Sequence, residues 1–186
     1  MDKIKRTKII LALFICFLMI TSIAGFISLP EPNQDNNFET KTFNGIEFKN
    51  INNRWVTLVN NNQIALSFDP EIIGKQDILN IQELNSGEKI YFSTDQNSTD
   101  QRIYQEINSL TALLKPKAVN SCYEDSEKCK TLPLKTCNDA KGLNKVIIIK
   151  KQKITNIKYN NNCLEIIGTE TEIIKFIDQL ILSLLS

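Results

Sequence analysis

The run VIIIKKQKITNIKYNNNCLEII, residues 146–167, holds three strand signals in succession. Residues 146–149 are almost wholly apolar and suit a central strand buried on both faces. Residues 154–158 and 163–167 follow, joined by Tyr159-Asn160-Asn161-Asn162, and read as a hairpin. The chain then closes on its clearest helix. Thr169 and Glu172 have capping-box spacing, and Ile173, Phe176, Ile177, Leu180, Ile181 and Leu184 form one stripe, with Glu170, Lys175, Asp178 and Gln179 opposite. A second membrane span is the disfavoured alternative here: residues 173–185 are only 13 long and include Lys175 and Asp178.

Upstream, KIYFST at residues 89–94 is another strand candidate. After a polar cluster at 95–100, Ile103, Ile107, Leu110 and Leu114 recur at spacings of four, three and four, which places them on one helical face ended by Lys115-Pro116. A long loop over 120–142 follows, and the helix is expected to be the crossover between KIYFST and VIII. Earlier still, residues 43–49, 54–60 and 63–68 are rich in β-branched and aromatic residues, with Asn60-Asn61-Asn62 as a turn and Asp69-Pro70 as a stop. The expected fold is α+β (mixed α/β): a mixed sheet carrying two amphipathic helices, over residues 43–186.

The first 42 residues read as address and tether. Lys3, Lys5, Arg6 and Lys8 mark a cytoplasmic N-terminus over residues 1–8, and the 21 uncharged residues 9–29 are long enough to span a bilayer. Thirteen of those 21 are Ile, Leu or Phe, which favours a transmembrane signal-anchor helix with all that follows outside. Cleavage after Ala24, behind Ser22-Ile23, is the competing outcome and exports the same domain. Cys16 lies in mid-span behind Phe14 and Ile15, which is unlike a lipidation signal, so it reads as a small apolar residue. Residues 30–42, PEPNQDNNFETKT, read as an extended linker.

Four cysteines remain in the exported part: Cys122, Cys129, Cys137 and Cys163. An even number in an oxidising compartment reads as two disulfides. Three pairings are open. Cys122 with Cys129 and Cys137 with Cys163 is preferred because sequential cysteines tend to lie close; chain entropy assigns those loops about 2.5 and about 3.5 kcal/mol, and the nested alternative scores almost the same. Zinc is disfavoured because the spacing C-x6-C-x7-C-x25-C lacks short C-x2-C knuckles.

The chemistry is marked by exclusions. The chain has no histidine, so Ser-His-Asp and Cys-His systems and HExxH zinc sites are out. Six scattered glycines form no phosphate-binding loop, and no cofactor is expected. Beyond the leader, 18 Lys plus Arg stand against 20 Asp plus Glu, which argues against nucleic acid as a partner.

Asp69, Asp95 and Asp100 lie near strand ends, where paired carboxyls could serve a hydrolase, yet turn and helix-cap roles explain them better. A Ser-Lys dyad has no specific signal. Lys145, Lys150, Lys151, Lys153 and Lys158 could dock on anionic lipid or envelope polymer, but a solvated hairpin edge is the simpler reading. Trp55 reads as core, and Asn97-Ser98-Thr99 as a glycosylation sequon.

FNGIEFKN, RWVTL, SFDP, KIYFST, the cysteines Cys122, Cys129 and Cys137, and NNNCLEIIG with its terminal helix together resemble a family of archaeal single-pass membrane-anchored proteins. That family has a small disulfide-containing extracytoplasmic domain and no assigned activity. The resemblance covers most of the chain after Phe43 and implies export, not a catalytic residue. The functional expectation is a non-catalytic module binding an envelope protein or a surface polymer; the alternative is an envelope hydrolase using carboxylates or a Ser-Lys pair.

Overall fold

The computed structural model describes residues 38–74, 86–95 and 100–185. The anchor expected over residues 9–29, the cleavage point at Ala24, Cys16, the larger part of the linker and the Asn97 sequon all lie outside the described residues.

The fold is α+β, with two sheets in place of the single sheet expected. Strands β1 (Thr40–Phe43), β2 (Ile46–Ile51), β3 (Arg54–Val59) and β4 (Asn62–Leu66) form an antiparallel meander in sequence order. The expected strand over 43–49 is broken by Asn44-Gly45, whose φ angles of 49° and 80° make a two-residue turn between β1 and β2. Residues 40–42, read as linker, belong to β1. Asp69 then caps a short helix, α1 (Pro70–Ile73), by accepting from Glu71 N at 2.9 Å.

The second sheet contains β5 (Lys89–Thr94), β6 (Ala118–Cys122), β7 (Asn144–Lys151), β8 (Asn156–Asn160) and β9 (Cys163–Gly168) in the order β6-β5-β7-β9-β8. The first four neighbours are parallel, and β8 returns antiparallel on β9 as the expected hairpin. Strand β6 overlaps the start of the stretch that reads as loop, so helix α2 (Gln101–Leu114) is the crossover from β5 to β6, and β7 adds on the other side of β5. Residues Val146, Ile147, Ile148 and Ile149 are all buried at the centre, as a strand covered on both faces must be.

One face of this sheet, bearing Ile90, Phe92, Ile147, Ile149, Leu164 and Ile166, packs in the main core. Helix α2 contributes Ile103, Ile107, Leu110 and Leu114, and helix α3 (Glu170–Leu184) contributes Ile173, Ile177, Leu180 and Ile181. Phe48, Trp55, Ile64 and Leu66 of the meander join the same core. On the opposite face Val146, Ile148 and Cys163 meet Ala140 in a smaller cluster under the cysteine-bearing loop. Among the described residues no helix is long and apolar enough to cross a membrane.

Candidate functional site

The loop between β6 and β7 is bound to the sheet at several points. Cys122 is joined to Cys129 and Cys137 to Cys163, with Cα separations of 6.1 and 5.2 Å. The second bridge ties the loop to β9 across the sheet face. Between the two, Lys135 N donates to Cys122 O at 2.7 Å and Cys122 N to Pro133 O at 3.0 Å, so the loop continues the edge of β6 for one step. Ser93 Oγ donates to Lys135 O at 2.7 Å and therefore accepts from Ser121 Oγ, also at 2.7 Å. At the turn, Asp139 accepts from Thr136 N at 2.8 Å and Thr136 Oγ1 at 3.1 Å, and these bonds hold its carboxyl below the usual carboxylate range.

This covering loop leaves a cleft of about 260 Å³ on the outer face, lined by Tyr123, Glu124, Thr136, Cys137, Asn138, Ile148, Lys150 and Glu165. A second hollow of about 300 Å³ shares Cys137, Asn138 and Glu165 and adds Lys158, Asn160 and Asn161. Strand β7 places Lys150 between two partners: its Nζ is 3.8 Å from Glu165 Oε1 on β9 and 4.9 Å from the Tyr123 ring centroid, a cation–π distance. Burial, together with the negative charges of Asp95 and Glu124, pushes the Tyr123 phenol up to about 12, so it stays a hydrogen-bond donor across the physiological range. The two hollows thus offer a phenol, amides, two ammonium groups and two carboxylates on a disulfide-fixed floor. Such an array presents hydrogen-bond donors and acceptors of nearly balanced charge.

The residues singled out in the sequence have separate fates. Trp55 is core, 6 % exposed, with Lys41 Nζ 5.3 Å from its ring centroid. Asp69 caps α1 and is ion-paired with Lys41; Asp100 sits at the N-terminus of α2 and is paired with Lys151, which holds its carboxyl below the usual range. Asp95 adds charge beside Tyr123. The lysine cluster is not a single solvated edge. Lys145 is buried and bonded to Asn162 Oδ1, Lys150 enters the cleft, and Lys151 reaches Asp100.

A second polar assembly had no sequence signal. Asp178 and Gln179, on the face of α3 read as solvent-exposed, are 0 % and 5 % exposed. Asp178 Oδ2 accepts from Ser67 N at 2.8 Å and Phe68 N at 2.9 Å, just past the end of edge strand β4. Within β4, Ala65 N donates to Ser109 Oγ of α2 at 3.3 Å. Glu106 of α2, 1 % exposed, accepts through Oε1 from Arg54 Nη2 and Ser67 Oγ, each at 2.6 Å. The helices thereby satisfy backbone amides that an edge strand would otherwise leave open. Buried in this way, the two carboxyls bind the meander to the helices and are closed to solvent. Comparison of the chain with protein-family models, with curated proteins and with solved structures finds no match.

Proposed function

We propose that this chain is a membrane-tethered, extracytoplasmic, non-catalytic binding module, which holds an envelope protein or a surface polymer in the cleft beneath its cysteine loop. The observation that carries the reading is the cleft itself: Tyr123, Asn138, Lys150 and Glu165 converge on a floor pinned by Cys137–Cys163. Donors and acceptors held in place lose little freedom on binding, which favours recognition of a polar partner. The uncharged run at residues 9–29 and its preceding cations support the tether and the outside location.

The test is cross-linking in intact cells followed by isolation of the membrane-extracted full chain, with Asn138→Ala/Lys150→Ala compared against wild type. Loss of a specific partner in the variant, with both disulfides retained, is the expected result. Equal recovery of the same partners by both proteins would remove the cleft from the proposal.

A further inference from the structure

Two buried oxygens in the meander–helix seam, Glu106 Oε2 and Asp178 Oδ1, have no donor among the protein's fixed hydrogens. They belong to carboxyls that meet at Ser67, whose N–H donates to Asp178 Oδ2 at 2.8 Å and whose Oγ donates to Glu106 Oε1 at 2.6 Å. Every other lone-pair position of the pair is occupied by a donor. Arg54 Nη2 and Ser67 Oγ fill Glu106 Oε1, and the amides of Ser67 and Phe68 fill Asp178 Oδ2. Two neighbouring buried carboxyls repel unless one carries a hydrogen.

We infer that Glu106 and Asp178 share a single proton, carried on Asp178 Oδ1 and donated to Glu106 Oε2, and that this proton is a pH-sensitive latch holding the β1–β4 meander to helices α2 and α3. The bond satisfies both oxygens at once. Burial raises Glu106 too, but the Ser67 hydroxyl, Arg54 from β3 and, more distantly, Arg102 from α2 stabilise its charge, and Asp178 has no cation of that kind, so Glu106 is the ionised member. Asp178 receives only neutral amides and faces the Glu106 charge, so burial and that charge both raise its affinity for the proton.

The pH sign follows from proton counting. An unfolded chain loses the Asp178 proton in the ordinary carboxyl range, whereas the folded chain keeps it, so unfolding releases a proton above that range. Stability contributed by the latch is complete at the acid end and lost as pH rises. The chain has no histidine, which leaves the interval from pH about 5 to about 7 free of the side chain that ordinarily titrates there.

The experiment uses the full chain in detergent micelles or nanodiscs, with unfolding followed by the fluorescence of Trp55, the sole tryptophan. The wild-type unfolding constant should rise by up to about tenfold per pH unit across that interval. Asp178→Asn should abolish the rise, because the amide accepts from Ser67 N and Phe68 N and donates permanently to Glu106. Difference infrared spectroscopy at neutral pH should show a protonated-carboxyl carbonyl band in wild type that Asp178→Asn lacks. An unchanged slope in Asp178→Asn, or no protonated-carboxyl band in wild type, would overturn the latch. Should the variant not fold, the wild-type infrared band alone decides.

Discussion

Asparagine closes four of the hairpins in this fold, because it tolerates left-handed backbone that β-branched residues avoid. Asn52-Asn53, Asn60-Asn61 and Asn161-Asn162 all have positive φ, from 45° to 72°, and Asn44 precedes Gly45 in the same role. Positive φ at both central residues matches the twist of the flanking strands in a two-residue hairpin. Replacing Asn61 with Val should therefore cost about 1–2 kcal/mol, whereas Asn61→Gly should be nearly neutral, as read from urea midpoints followed by Trp55 fluorescence. Gly74 has a different constraint, since a Cβ there would collide with the Phe43 ring. Arg54 carries the largest consequence for a single side chain. Its guanidinium is the only cation bonded to Glu106 among the described residues, and Arg54→Ala strands a carboxylate that is 1 % exposed. The expected loss is about 3–5 kcal/mol, and adding Glu106→Gln should recover a large part of it in a double-mutant cycle.

At the scale of elements, periodicity was legible wherever one face alone is buried. Ile103, Ile107, Leu110 and Leu114 are buried as their spacing requires, and KIYFST coincides with β5. The Thr169–Glu172 capping box is present, with Thr169 N 3.0 Å and Thr169 Oγ1 2.8 Å from Glu172 Oε2. Thr169→Ala should cost about 1 kcal/mol, measurable as a lower denaturant midpoint. Four features were not legible. Strand β6, AVNSC, is short and half polar, and its serine is buried only because Ser93 on β5 bonds it. The break at Asn44-Gly45 has a sound turn signal, hidden within a run whose residues favour strand on both sides. Asp178 could not be placed from α3 alone. A polar residue opposite an apolar stripe normally meets water, and only the arrival of β4 on that side converts it into a buried acceptor. The cleft was equally hidden, because Tyr123, Asn138, Lys150 and Glu165 come from four separate places and meet only through topology.

For the whole molecule, pH and redox state set the limits of stability. Asp100, Asp139 and Glu172 have carboxyls held below the usual range by the Lys151 bond, the Thr136 bonds and the Thr155 and Thr169 bonds respectively. Their stabilisation is present above the ordinary carboxyl range and is lost as pH falls through the depressed values, while the Glu106–Asp178 latch is lost as pH rises. Stability should therefore peak on the mildly acidic side, as a pH series of urea midpoints would reveal. Redox state matters through the loop. The Cys137–Cys163 bridge closes a separation of 26 residues and fixes the cleft floor, so Cys137→Ser/Cys163→Ser should cost about 3.5 kcal/mol and abolish partner capture. Peptide mapping decides whether the domain is stapled outside the reducing cytosol, as proposed. Full-length protein is alkylated in intact cells, digested without reduction and analysed by mass spectrometry. The expected products are peptides linked through Cys122–Cys129 and Cys137–Cys163, with no alkylation at those four positions. Alkylated, unlinked cysteines at all four would contradict it.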